Sequence, residues 1–161
     1  MLERTLVLLK PDCVQRMLAG RIITRFEDAG LKIVGMKFIW IDKSLSKEHY
    51  AEHVDKDFYP DLERYITEGP VIAMVLEGVE AVKIVRKMVG STAPNEALPG
   101  TIRGDFAHIT RDFANDRGSS IKNLIHASGT PEEAKQEIEL YFEEPELHSY
   151  KTVHEAHILA E

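Results

Sequence analysis

The chain has 161 residues, 43% of them apolar and 29% charged, which suits one folded unit with a sizeable core. A formal net charge of −7 argues against a nucleic-acid backbone as partner, although a phosphorylated small molecule needs only a few local cations. No apolar run reaches bilayer-spanning length, Met1-Leu2-Glu3-Arg4 begins no secretory signal, and the single cysteine, Cys13, excludes an internal disulfide, so a cytoplasmic protein without membrane or nucleic-acid partners is expected.

In chain order, Arg4–Lys10 is a strand rich in Leu and Val, closed by Pro11-Asp12. Asp12 is placed to cap a helix with Val14, Met17/Leu18, Ile22 and Phe26 inward, running to Gly30. Leu31–Ile41 follows as a long strand with Val34, Met36, Phe38 and Trp40 alternating on one face. Ser44 or Ser46 caps a helix through His53, and Pro60–Thr67 forms a second short one. Val71–Leu76 is a wholly apolar strand. Gly78–Val89 is helical, with Ala81, Val82, Val85, Met88 and Val89 facing inward.

From Gly90 to Asp105 the texture becomes that of a long loop, with three glycines and two prolines. Ala107–Ser120 is a second poorly patterned link, read as an insertion over about 107–120 that forms a surface hairpin or lid. Ile121, Leu124 and Ile125 then form a short strand ending at His126, where Ala127, Ser128 and Gly129 leave room for a ligand beside the imidazole. Thr130-Pro131-Glu132-Glu133 spells the next helix start, with threonine at the cap and proline first, and that helix continues to about Phe142 before an irregular tail. This βαββαβ order predicts an α+β fold: a ferredoxin-like, four-stranded antiparallel sheet covered by helices, as one domain over residues 1–161.

Chemistry gathers around His126. Lys10 ends the first strand, where α/β sheets gather active-site groups, though a solvated lysine is the simpler account of that residue alone. Arg103, flanked by Gly100 and Gly104, could turn its fork to a phosphate; Arg86 lies off the apolar stripe of its helix; Thr92 could offer a hydroxyl or N–H to an anion. Glu137 flanks the inward stripe of the helix after Pro131 and could reach back to one ring nitrogen of His126, fixing its tautomer. His49-Tyr50-Ala51-Glu52-His53 matches the H-x-x-E-H zinc pattern of a metalloprotease, but the match is short and the helix highly charged, so a solvated face also explains it. Neither a P-loop nor the protein-kinase signatures occur.

Together the segments resemble the nucleoside diphosphate kinase family over about residues 3–150. The resemblance rests on Thr5–Asp12 (TLVLLKPD), Val14-Gln-Arg16, Gly30–Gly35, Glu48-His-Tyr50, Gly69-Pro-Val71, Met74–Gly78, Pro99–Phe106 (PGTIRGDF) and Asn123–Ser128 (NLIHAS). It implies ping-pong transfer of a γ-phosphoryl group from ATP to a nucleoside diphosphate through a phosphohistidine on His126. Lys10 would contact the ribose 3′-hydroxyl and the transferring phosphate, with Tyr50 holding the lysine. Arg86, Thr92 and Arg103 would bind phosphates, Asn123 the sugar, and Phe58 the base, while Ser128 and Glu137 orient His126. Mg²⁺ would arrive mainly on the nucleotide phosphates, with no protein metal ligands of its own. Assembly as a homo-hexamer (a trimer of dimers) or a tetramer is implied, with Gly90–Pro99 at subunit contacts. One departure is Gly129, where the family carries an aspartate that would help hold Lys10.

Overall fold

The computed structural model describes residues 1–159. Its centre is β1 (Leu2–Leu9), whose residues Leu6 to Leu9 are wholly buried because helices cover both faces of the sheet. β1 pairs antiparallel with β3 (Pro70–Val79) on one side and with the three-residue β4 (Ile125–Ala127) on the other; β2 (Lys32–Trp40) pairs antiparallel with β3. The order β2-β3-β1-β4 gives the expected four-stranded antiparallel α+β sheet.

Alternation along β1 divides the core in two. Val7 and Leu9 face Leu18, Ile22 and Phe26 around α2 (Ala19–Asp28) and Ala81, Val85 and Val89 of α5 (Ala81–Val89). Leu6 and Leu8 face the opposite layer, where Tyr59 and Ile66 of α4 (Tyr59–Thr67) meet Ile138 and Tyr141 of α8 (Pro131–Tyr141) and Phe142 beyond it. The expected cap of α8 forms: the Thr130 hydroxyl accepts from Glu133 N–H at 3.1 Å.

Several local expectations are corrected. The helix read from Asp12 to Gly30 is two pieces, α1 (Pro11–Gln15) and α2, broken at Met17, which takes φ 54°. Asp12 lies inside α1 rather than capping it, and its carboxylate accepts from Tyr65 O–H at 2.7 Å and Leu124 N–H at 3.1 Å. α3 (Lys43–His49) is capped by Asp42, not by Ser44 or Ser46, and a separate 3₁₀ turn covers Ala51–His53. A bulge beside Val34 breaks the alternation of β2. Val34 is buried, but Met36, Phe38 and Trp40 are 46%, 65% and 65% exposed on this edge strand. The glycine-rich stretch holds a 3₁₀ turn (Pro94–Glu96) and the short helix α6 (Ile102–Phe106). The link 107–120, expected as a surface hairpin or lid, holds no hairpin but α7 (Arg111–Asp116), because the Thr110 hydroxyl accepts from Phe113 N–H and turns the chain helical. The tail carries a 3₁₀ turn (Glu144–Glu146) and α9 (Glu155–Ile158). Among the described residues no helix is long and apolar enough to cross a membrane.

Candidate active site

His126 is the middle residue of β4, opposite Leu8. Its neighbours Ile125 and Ala127 turn into the α2/α5 layer, so the pleat sends the imidazole the other way, toward α8 and α3. There Nε2 meets Glu137 Oε1 at 2.8 Å, and Ser128 Oγ donates to the second carboxylate oxygen at 2.5 Å. Ser128 is fixed in turn, its hydroxyl accepting from Leu6 N–H at 3.2 Å. Burial opposes ionisation of Glu137, but the hydrogen bonds from His126 and Ser128 hold its carboxyl below the ordinary glutamate range. A carboxylate at Nε2 places the proton of the neutral ring on that nitrogen and leaves the lone pair on Nδ1.

The imidazole borders a cavity of about 460 Å³ that also receives Lys10, Tyr50, Phe58, Arg86, Thr92, Arg103 and Asn123. The residues reach it from separate parts of the chain. Lys10 leaves the end of β1 and donates to Asn123 Oδ1 at 2.8 Å, and Asn123 Nδ2 donates to Thr92 C=O at 2.8 Å. Leu124, between Asn123 and β4, is buried with φ 71°, a left-handed turn that a leucine adopts only at a cost of order 1–3 kcal/mol. Its N–H is held by Asp12 and its carbonyl accepts from Lys10 N–H, so the turn is locked from both sides.

Arg103 departs from its reading as a loop arginine offering its fork to a ligand. It lies within α6, is 4% exposed, and donates to the carbonyls of Asn123, Gly90 and Ile125. Its fork therefore clasps the two ends of the site's backbone while its charge remains at the cavity wall. Arg86, on α5, donates to Ala127 C=O at 3.4 Å beside His126. Burial, then the charge of Arg103, lowers Lys10 to about 7, and burial followed by Arg86 lowers Arg103 to about 10.

Lys10 is held by Asn123, not by Tyr50, whose buried hydroxyl has no hydrogen-bond partner among the described residues. At Gly129 the backbone N–H donates to Glu133 Oε2 at 2.9 Å. The link after Phe106 does reach the site: Arg111, Asn115, Ser119, Ser120 and Ile121 line the same cavity. None of these five is among the site residues expected from the sequence; Thr110, a cap preceding a turn of helix, is the signal that places Asn115. His49 and His53 do not share the single helix face that the H-x-x-E-H spacing requires, since α3 ends at His49 and His53 closes a separate 3₁₀ turn.

A carboxylate-oriented imidazole facing four cationic side chains, Lys10, Arg86, Arg103 and Arg111, defines a pocket for a polyphosphate beside a nucleophile. The comparisons with known proteins agree. The family model for nucleoside diphosphate kinase matches residues 3–147, and the chain belongs to that family. A nucleoside diphosphate kinase of Pyrococcus furiosus is 54% identical over 148 residues, covering 92% of this chain and 88% of its own. One from Rhodopirellula baltica is 49% identical over 152 residues, covering 94% and 93%. Among solved structures, a transition-state mimic of the Borrelia burgdorferi enzyme with bound vanadate and ADP superposes with a TM-score of 0.95 at 40% identity, covering 98% of this chain and 97% of that one. The Halobacterium salinarum enzyme in complex with CDP gives a TM-score of 0.85 at 45% identity, with 97% of each chain covered.

Proposed function

We propose that this nucleoside diphosphate kinase works by a ping-pong reaction through a phosphohistidine at His126. The observation that carries the proposal is the Ser128–Glu137–His126 chain of hydrogen bonds, which leaves Nδ1 as the attacking atom beside a cationic cavity. Nδ1 attacks the γ-phosphorus of a nucleoside triphosphate such as ATP, the bond from that phosphorus to the β-γ bridging oxygen breaks, and the nucleoside diphosphate leaves. As the ring gains positive character, the proton on Nε2 stays in place against Glu137. In the second half a different nucleoside diphosphate attacks with a terminal phosphate oxygen, and the histidine is restored. Phosphoryl transfer asks mainly for alignment and charge neutralisation. Lys10 supplies a charge close to Asn123, where the sugar and the transferring group meet; Arg86 and Thr92 grip the phosphates while Arg103 lends its charge from the cavity wall; Phe58, 53% exposed at the mouth, stacks on the base. Tyr50 walls the lysine in without bonding to it. Stacking accepts any base, which suits exchange among nucleotide pools.

The cavity offers one carboxylate, Asp61, against four cationic side chains, a donor set matched to phosphates rather than to a bare metal ion. Mg²⁺ is therefore carried on the nucleotide, where it neutralises phosphate charge. The exposed apolar row Met36, Phe38 and Trp40 on edge strand β2, with Leu98 73% exposed in the Gly90–Pro99 segment, supports a homo-oligomer, a hexamer built from dimers or a tetramer. Buried, unpaired Cys13 suits a reducing cytoplasm.

Incubation with γ-labelled ATP should leave an acid-labile, base-stable phosphate on the protein, absent from His126→Ala. Full transfer activity in that variant would overturn the mechanism. A member of the fold that only binds nucleotide would show neither label nor turnover.

A further inference from the structure

Behind the imidazole lies a feature that phosphoryl transfer leaves without a role. The His49 side chain is 1% exposed, yet neither of its ring nitrogens has a hydrogen-bond partner among the described residues. A buried polar group in that state calls for an explanation. Its Nε2 lies 4.0 Å from Glu137 Oε1, the oxygen that also holds His126 Nε2 at 2.8 Å. One nitrogen from each histidine and one oxygen of Glu137 fall within 4.8 Å of one another. The two rings stand edge to face, with centroids 4.6 Å apart. A cleft of about 290 Å³, separate from the phosphate cavity, reaches all three, and the carboxylates Glu48, Glu52 and Glu133 stand exposed around it.

We propose that His49, His126 and Glu137 form an inhibitory site for a zinc-type divalent cation. Two imidazoles and one carboxylate, with water from the cleft as fourth ligand, are a donor set that zinc takes tetrahedrally at about 2.0–2.2 Å. Such bonds set ligand atoms roughly 3.3 Å apart, so the trio needs shifts of about an ångström or less. His49 is available as a neutral ligand because its burial disfavours the charged ring. The rim carboxylates favour entry of a cation.

The inhibition follows from proton placement, and it rests on the reading of His126 Nδ1 as the attacking atom. A metal on Nε2 needs the lone pair of that nitrogen. The proton that Nε2 shares with Glu137 must then move to Nδ1 of the same ring, with no net gain or loss. Nδ1–H has no lone pair with which to attack phosphorus. Occupancy of this trio thus removes the nucleophile without entering the nucleotide cavity.

The test uses nucleotide-free, full-length protein and Zn²⁺ alone. Competition with a chromophoric chelator should give one zinc per chain, and His49→Phe, which keeps the ring shape, should weaken it at least thirtyfold. His49→Gln serves as a second variant if the first does not fold. Long-range ¹H–¹⁵N spectra should show His126 passing from the Nε2–H to the Nδ1–H tautomer as zinc is added. With Mg²⁺ and ATP present and free Zn²⁺ buffered, single-turnover labelling of the wild type should slow at least tenfold, while His49→Phe keeps its own zinc-free rate. Zinc held with wild-type affinity by both His49 variants, or bound without the tautomer change, would overturn the site. Zinc bound through His49 with labelling unslowed would overturn the inhibition. If no label forms even without zinc, it is the transfer mechanism that fails, and the titration and spectra still judge the site.

Discussion

Glu137→Gln isolates the charge at Nε2 from the shape of the contact. The carboxamide oxygen can accept from His126 Nε2–H, now held at 2.8 Å, while its NH₂ turns to Ser128 Oγ. Ser128 already has Leu6 C=O within 3.4 Å to receive its displaced hydroxyl proton, so no buried donor is orphaned. What disappears is the charge assistance: hydrogen bonds to ionised groups contribute about 1.5–3 kcal/mol, neutral ones about 0.5–1.5. The difference of about 1–1.5 kcal/mol matters most in the transition state, where the ring gains positive charge. A tenfold change corresponds to about 1.4 kcal/mol, so phosphoenzyme formation should slow about 5- to 15-fold. Rapid-quench, single-turnover measurement at saturating MgATP reads this step directly, with thermal unfolding as a control for fold. A rate within twofold of wild type would refute the idea that the carboxylate stabilises the developing imidazolium.

Gly104→Ala should lower stability by about 2 kcal/mol or more, since a Cβ there would lie 2.1 Å from the Leu98 carbonyl oxygen, a backbone atom that cannot swing away; an unchanged urea midpoint would count against this. His49 provides a pH signature: its folded pKa of about 3 lies below the ordinary 6.5, so between those values the unfolded chain binds a proton that the folded one refuses. Stability should therefore fall as pH drops from 6.5 toward 3, and less so in His49→Phe; parallel wild-type and variant curves between pH 7 and 4.5 would contradict it. Phe38→Lys places a charge in the exposed row on β2 and should lower the mass seen by light scattering if that row is an interface; an unaltered assembly would remove β2 from it.

What could be read from the residues was whatever has a period or a cap. β1, β3 and α5 announce themselves through continuous apolar runs or a helical stripe, and Thr130-Pro131 marks α8. The break at Met17 could not be foreseen, because a methionine at positive φ violates its own preference, and the turn is closed by backbone bonds from Met17 N–H to Val14 C=O and Leu18 N–H to Cys13 C=O. On β2 the alternation was visible but not its consequence: periodicity says that Met36, Phe38 and Trp40 share a face, not whether anything covers it. The site divides similarly. The eight residues expected around a nucleotide do meet at one cavity, but Arg103 bonds to three backbone carbonyls and Lys10 leans on Asn123, pairings set by long-range closure of the chain. The proximity of His49 to His126 crosses two core elements, and no local spacing encodes it.

Buried Lys10 has a thermodynamic corollary. With its pKa lowered to about 7 by burial and the charge of Arg103, this ammonium is only partly charged at neutral pH. A polyphosphate arriving beside it favours the charged form and draws its pKa upward, so binding near neutral pH takes up a fraction of a proton from solution. Calorimetric enthalpies of nucleotide binding should then vary with the ionisation enthalpy of the buffer, and affinity should decline as the medium turns alkaline. The enzyme's hold on its substrates is in this sense a titration, with hydrogen ion as a co-ligand.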